Sequence, residues 1–93
     1  MNDREPVELP IEDSIDLHSF RPDETADLVE EYLHQALLKG YREVRIIHGR
    51  GAGVERRIVQ SILSRNPHVI SYRDEMDRGS TTVVLRPNPI SQA

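Results

Sequence analysis

The sequence has 93 residues and no cysteine, which excludes a disulfide framework and a thiolate metal site and leaves room for one domain with a single core. Its formal net charge of −4 conceals an asymmetry. Residues 1–39 contain three basic and eleven acidic residues, whereas residues 40–93 contain nine basic and five acidic residues. Eleven of the twelve cationic residues are arginine, whose planar guanidinium matches phosphate. The composition therefore permits a nucleic-acid partner. The alternative is that the arginines are scattered over an ordinary solvated surface and bind no such partner.

No apolar run approaches the ~20 residues of a membrane-spanning helix, and the acidic N-terminus lacks the basic-then-apolar order of a signal peptide. The absence of cysteine is compatible with a reducing compartment. We therefore expect a cytoplasmic protein without a membrane partner.

The first half of the chain predicts a strand, a helix and a second strand. Residues 1–13 contain two prolines and five acidic groups, which predict an extended or disordered lead-in. Residues 14–18 alternate polar with apolar side chains and predict a strand. A proline and two carboxylates then begin a helix at residues 21–24, and its apolar stripe comprises Ala26, Val29, Leu33, Ala36 and Leu37.

A second strand is predicted at residues 43–48, after only a short turn. Two strands joined by one helix are predicted to be parallel, so their carboxyl ends meet at one edge of the sheet. Asp16 and His18 are therefore expected near His48. Alternation places Ile15 and Leu17 toward the core, with Asp16 and His18 on the opposite face, while His48 falls nominally on the core side. The loop geometry decides whether the two histidines converge.

A glycine loop follows the second strand. Gly49, Gly51 and Gly53 alternate there, which allows positive φ and a close approach of a ligand, and the following helix offers unpaired N–H groups to an anion. His48 and Arg50 add a titratable imidazole and a fixed cation. The spacing matches neither the Rossmann motif nor the P-loop. Glycine-rich turns between a strand and a helix also occur for steric reasons, which leaves a purely structural role open at this point.

The second half of the chain predicts one more helix and two strands. The helix has an apolar stripe and ends before Pro67, and strands are predicted at residues 69–72 and 81–85. The charged segment 73–79 forms a hairpin-like connection between them, and residues 87–93 form a tail. The apolar stripe of this second helix comprises Val54, Ile58, Ile62 and Leu63.

Three short motifs connect the sequence with a known family. Residues 15–18 (Ile-Asp-Leu-His), 48–51 (His-Gly-Arg-Gly) and 79–84 (Gly-Ser-Thr-Thr-Val-Val) occur in the order and spacing of three signatures, L-D-L-H-G, H-G-x-G and a glycine followed by T-V-V. With these motifs the sequence resembles the small MutS-related (Smr) domain family over about residues 14–86. Ser19 stands where the first signature has glycine, and Gly79 alone remains of the glycine-rich segment before T-V-V.

The resemblance implies an α/β two-layer sandwich, βαβαββ, with a four-stranded mixed sheet and two helices on one face, similar to the C-terminal domain of bacterial translation initiation factor three. It also implies a domain over residues 14–86 that binds or cleaves DNA or RNA. The family's functional positions correspond to Asp16, His18, His48, Gly49 and Gly51. A stand-alone domain of this kind leaves room for a protein partner that selects the target.

Three hypotheses about function follow. In the first, an endonuclease, His18 or His48 is the general base or acid, Asp16 orients the neighbouring imidazole, and Arg50 with the N–H groups of the loop stabilises the developing charge. No cofactor is required, although Asp16 and His18 could also help to bind a divalent metal ion together with the substrate phosphates. In the second, the loop at Gly49, Arg50, Gly51 and Gly53 binds phosphate without catalysis. The third, an enzyme acting on a small phosphorylated ligand, is disfavoured by the lack of a second domain to close over the ligand.

Overall fold

A computed structural model describes residues 11–51, 53–77 and 79–87 of the chain. The secondary structure follows the predicted order βαβαββ. Most of the predicted lead-in and tail lie outside the described residues, so their prediction is not tested. The elements are β1 (Ser14–Asp16), α1 (Pro22–Leu38), β2 (Glu43–Ile47), α2 (Val54–Arg65), β3 (Val69–Asp74) and β4 (Ser80–Leu85).

The strands form one mixed sheet in the order β1-β2-β4-β3. β1 and β2 are parallel, as predicted for strands joined by a helix, and Ile15 is paired with Ile46. β4 is antiparallel to both β2 and β3. The fourth strand therefore inserts between the second and third, and β1 and β3 form the two edges of the sheet.

The two helices cover one face of this sheet. In β2, Val44 and Ile46 are buried, whereas Glu43 and Arg45 are exposed on the other face. Both helices contribute to the same apolar cluster as these strand residues, which gives the predicted two-layer arrangement. The buried apolar residues are Leu17, Val29, Tyr32, Leu33, Ala36, Leu37, Val44, Ile46, Val59, Ile62, Leu63, Val83 and Leu85.

The predicted apolar stripes of the helices need two corrections. In α1, Ala26 is exposed and Thr25 is buried instead, because the Thr25 hydroxyl has partners in the backbone oxygen of Arg21 and the carboxylate of Glu55, both at 3.3 Å. A hydrogen-bonded hydroxyl removes most of the cost of burying a polar side chain.

In α2, Val54 is exposed and Val59 is buried. Val54 opens the first turn of the helix, and the buried face is formed by Val59, Ile62 and Leu63, which recur at helical spacing one turn further along.

β1 is shorter than predicted and ends at Asp16 rather than at His18. The carboxylate of Asp16 accepts the backbone N–H of His18 at 3.0 Å, and the N–H of Phe20 turns back to the oxygen of Leu17 at 2.9 Å. These local bonds replace the ladder with a turn. At the other edge, β3 extends to Asp74, two residues further than predicted, because its ladder with β4 continues to Thr81.

Residues 11–13 contact the folded body ahead of β1. The hydroxyl of Tyr32 donates to the oxygen of Glu12 at 2.5 Å, and that of Tyr41 donates to the oxygen of Ile11 at 2.7 Å. Burial, followed by the nearby carboxylate of Asp13, raises the pKa of Tyr32 far above its usual value. The phenol therefore stays protonated and keeps donating at any physiological pH.

Candidate functional site

The carboxyl ends of β1 and β2 lie side by side, as the parallel arrangement requires. The backbone N–H of Leu17 donates to the oxygen of Ile47 at 2.8 Å, and Asp16 is paired with Ile47. The polar side chains of the first two motifs, residues 15–18 and 48–51, nevertheless lie on different faces of the sheet. Asp16 lies on the open face of the sheet, with His18 beside it in the turn after β1, and His48 lies on the side of the helices. The predicted edge is present, but the two histidine side chains have separate partners.

Asp16 and His18 form an exposed pair. Nδ1 of His18 lies 2.6 Å from Oδ1 of Asp16, and 72% of the His18 side chain is accessible to solvent. A carboxylate only accepts hydrogen bonds, so Nδ1 carries the proton and the neutral ring presents an unprotonated Nε2. No described residue bonds that Nε2. The backbone N–H of His18, and then its ring, lower the pKa of Asp16, so the carboxylate stays ionised.

His48 is only 5% exposed, and both of its ring nitrogens have partners in the protein. Nδ1 lies 3.0 Å from the backbone oxygen of Gly49, and Nε2 lies 2.9 Å from the hydroxyl of the fully buried Thr81. A carbonyl only accepts, so Nδ1 is the protonated nitrogen and donates to Gly49. The ring therefore ties the end of β2 to β4 and fixes the first peptide of the glycine loop.

The glycine loop has positive φ at two of its three glycines. Gly49 has φ +88° and Gly53, the residue before α2, has φ +90°, a region that L side chains rarely adopt. Gly51 does not have a positive φ, and a Cβ added there would meet nothing within 4 Å. The backbone N–H groups of His48 and Gly49 both donate to the oxygen of Gly79 at 2.9 Å. The third sequence motif thus holds the start of the loop.

A cleft of about 670 Å³ opens between the glycine loop, the first turns of α2 and the connection between β3 and β4. All four residues predicted to bind phosphate line it, whereas Asp16, His18 and His48 do not. Met76, with 96% of its surface exposed, stands at the rim. The lining residues are Gly49, Arg50, Gly51, Gly53, Arg56, Asp74, Glu75 and Met76.

Sequence reasoning missed the part of the cleft that α2 and the β3–β4 segment contribute. Nε and Nη2 of Arg56 donate to Oδ2 of Asp74 at 3.1 and 2.5 Å, and Gln60 donates to Oδ1 at 2.6 Å. The hydrogen bond from Arg56 lowers the pKa of Asp74. The only sequence signal was the one-turn spacing of Arg56 and Gln60 on a polar helix face, and it does not point to Asp74.

The remaining histidines lie apart from both groups. His34 is exposed on α1, and His68 is exposed in the turn before β3. Within residues 11–51, 53–77 and 79–87, no three His, Asp or Glu side chains are grouped so that they could hold a metal ion. In the same part of the chain, no helix has the length and apolar character needed to cross a membrane.

Comparisons with known proteins agree with the motifs and the fold. The family model of the Smr domain matches residues 15–86. Endonuclease MutS2 of Halalkalibacterium halodurans is 45% identical over 80 residues, which are 82% of this chain and 10% of that protein. Endonuclease MutS2 of Caldicellulosiruptor bescii is 40% identical over 83 residues, or 85% of this chain and 10% of that protein. The chain thus spans about a tenth of the length of these curated relatives.

Two solved structures share the architecture. The crystal structure of the Smr domain of Thermus thermophilus MutS2 superposes with a TM-score of 0.77 at 30% identity, covering 82% of this chain and all of that one. YdaL, a stand-alone small MutS-related protein from Escherichia coli, gives a TM-score of 0.76 at 29% identity, covering 83% of this chain and 66% of that one. The βαβαββ fold predicted from the sequence is therefore confirmed.

Proposed function

The chain belongs to the Smr domain family, and from this membership and the geometry of its two polar groups we propose that it is an endonuclease that cleaves DNA or RNA. The observation that carries the proposal is the exposed pair of Asp16 and His18, joined at 2.6 Å beside the strand that leads into the glycine loop. The name of the MutS2 relatives supports the reaction class.

His18 is the general base in this proposal. Asp16 accepts the proton-bearing Nδ1 and orients the ring, so that Nε2 faces solvent and takes a proton from water or, in RNA, from the 2′-OH next to the scissile phosphate. The attacking oxygen forms the new bond to phosphorus while the bond from phosphorus to the leaving oxygen breaks, and the leaving oxygen takes a proton from solvent. Acid–base assistance of this kind contributes ~10²–10⁴-fold in rate.

Arg50 and the glycine loop bind the phosphate backbone. Arg50 lines the cleft next to three of the loop glycines, where a fixed cation and backbone N–H groups favour an anion. The strand end occupied by Asp16 adjoins the strand end that begins the loop, so a nucleic-acid strand crossing this edge meets both groups. His48 acts through Gly49 and is a positioning residue rather than a catalytic one.

A non-catalytic binding module is the second candidate. The observation that favours it is the separation of the cleft from the Asp16–His18 pair, because none of the predicted catalytic residues lines the cleft. In this version the cleft binds phosphate and Asp16 serves only to end β1. A protein partner that selects the target is compatible with either candidate.

Cleavage of end-labelled DNA and RNA oligonucleotides separates the two candidates. The wild type is compared with Asp16→Asn and His18→Ala, and His34→Ala and His68→Ala serve as matched histidine controls on the exposed surface. We expect at least a hundredfold loss of cleavage for the first two variants and unchanged activity for the controls. The reactions are run with and without chelator, which also tests whether a divalent metal ion takes part.

One result contradicts the assigned catalytic residues, and another contradicts the endonuclease proposal itself. If all four variants cleave as the wild type does, the imidazole of His18 is not the base. If none of the proteins, including the wild type, cleaves either substrate but all of them bind it, the domain is a binding module.

A further inference from the structure

The ion pair of Arg56 and Asp74 lies inside the cleft, and neither residue belongs to the three sequence motifs. Arg56 projects from α2, and Asp74 is the last residue of β3. The two residues are 18 positions apart in the chain. The pair is only partly covered, with 46% of the Arg56 side chain and 35% of the Asp74 side chain accessible. A surface ion pair contributes little to stability, so stability alone does not explain why this pair lies in the cleft.

We propose that Arg56 is a second phosphate ligand of the cleft and that Asp74 is the residue that positions it. The inference rests on the proposed action on nucleic acid. It adds Arg56 as a binding residue and Asp74 as a positioning residue to the cleft beside the glycine loop.

Arg56 keeps free N–H donors after it binds Asp74. A guanidinium has five N–H donors in a planar fork, and Asp74 engages one at Nε and one at Nη2. Three donors are left, and the cleft that the side chain lines is large enough for a phosphodiester group. The hydrogen bond that Arg56 donates to Asp74 also raises the pKa of Arg56, so the cation persists.

Asp74 is itself held on its other oxygen. Gln60 donates to Oδ1 at 2.6 Å, and the hydroxyl of Thr81 lies 3.4 Å from the same atom. Thr81 in turn contacts the ring of His48. The carboxylate is therefore held by Gln60 of α2, and the backbone of Asp74 is held by its pairing with Thr81 in the sheet. The carboxylate fixes Arg56 in one orientation before a ligand arrives. Such preorganisation lowers the entropic cost of binding.

Asp74 and Glu75, the two carboxylates of the cleft, allow a test of this role. A charge effect and a positioning effect of Asp74 predict opposite changes in phosphate affinity when Asp74 is neutralised. Glu75 also lines the cleft, but its partners are the Thr82 hydroxyl and Arg73, so it does not hold Arg56. If Asp74 contributed only negative charge, Asp74→Asn would strengthen phosphate binding, as Glu75→Gln is expected to do. If Asp74 positions Arg56, its neutralisation weakens binding although it removes a repulsive charge.

Arg57 supplies the matched control for Arg56. It is the next residue of the same helix and also exposed, but it lines a different depression on the side of α1. Arg56→Ala and Arg57→Ala remove the same charge from the same helix turn. Any difference between them therefore reports on the position of the guanidinium and not on the net charge of the domain.

The experiment measures the affinity of a labelled single-stranded DNA and its RNA equivalent for each variant over a range of salt concentrations. We expect about tenfold weaker binding for Arg56→Ala, the value of one charged hydrogen-bonded contact, and a decrease in the salt slope of about 0.7. Arg57→Ala should change the affinity less than twofold. Asp74→Asn should weaken binding severalfold and Glu75→Gln should not, while thermal unfolding verifies that each variant is folded.

The inference is overturned if Asp74→Asn tightens binding as Glu75→Gln does, or if Arg56→Ala and Arg57→Ala are alike. Failure of the proposed function looks different. In that case the wild type binds neither oligonucleotide in a salt-dependent way, and Arg50→Ala, which removes the cation assigned to the loop, changes nothing. Loss of binding in Arg50→Ala together with unchanged binding in Arg56→Ala keeps the proposed action on nucleic acid and rejects only this inference.

Discussion

Replacement of His48 by alanine should destabilise the domain much more than replacement of His18. The buried ring of His48 makes two hydrogen bonds, to Gly49 and to Thr81, and each is worth about 0.5–1.5 kcal/mol net. Removing a ring that is 5% exposed also leaves a cavity, which adds about 1 kcal/mol. We therefore expect His48→Ala to lower the free energy of unfolding by about 2–4 kcal/mol.

Urea denaturation measures this difference. With a slope of about 2 kcal/mol per M, the midpoint of His48→Ala should fall by about 1–2 M. His18→Ala removes an exposed side chain and should stay within about 0.5 kcal/mol of the wild type. Its cleavage activity should nevertheless fall at least a hundredfold, about 2.7 kcal/mol of transition-state stabilisation.

Thr81 provides a second perturbation of the same hydrogen bond in case His48→Ala does not fold. Thr81→Ser keeps the hydroxyl that contacts Nε2, whereas Thr81→Val removes it from a fully buried position. Thr81→Val should therefore be the less stable of the two by about 1 kcal/mol. If His48→Ala unfolds at the wild-type urea concentration and still loses cleavage, His48 acts on the substrate directly and its assignment as a positioning residue is refuted.

Two further predictions concern the loop and the cleft. Gly49→Ala should cost about 1–2 kcal/mol because its φ is positive, and Gly51→Ala should cost less than about 0.5 kcal/mol in the same urea assay; equal costs would show that the backbone of the loop differs from the one described. The pKa of Asp74 is depressed in the folded state, so its ionised form adds stability above the usual value of 3.8 and loses this contribution as pH falls through the folded pKa. The difference in melting temperature between the wild type and Asp74→Asn should therefore be constant from pH 7 to about pH 5 and shrink below pH 4; a difference that grows on acidification would contradict the sign of this shift.

Local patterns predicted most of the fold. The start of α1 at Pro22 and the beginning of α2 after Gly53 follow from turn and capping chemistry within a few residues, and both are where the sequence places them. Errors arose where burial depends on a distant partner. Thr25 is buried because Glu55 and the helix backbone satisfy its hydroxyl, and no periodicity of α1 contains that information.

For the candidate site too, local patterns predicted some features, and contacts between distant residues decided the others. Alternation along the strands correctly placed His48 on the core side and Asp16 on the opposite face. It did not predict that both nitrogens of His48 have partners, because one of them, Thr81, lies 33 positions away in β4. Nor did it predict the cleft residue Asp74, whose contact with Arg56 depends on the antiparallel register that brings β3 beside β4 and under α2.

By itself, the sequence determined the order of the elements, the parallel pairing of β1 and β2, the meeting of two motifs at one sheet edge and the glycines that begin the loop. These features depend on side-chain periodicity and backbone sterics, which act between residues close together in the chain. Only the tertiary structure decided that Asp16 and His18 form an exposed pair while His48 is enclosed, and that Arg56 and Asp74 share the cleft with the loop. Hydrogen bonds between distant segments exist only after the strand order and register are set, because a side chain finds its partner across the sheet and not along the chain.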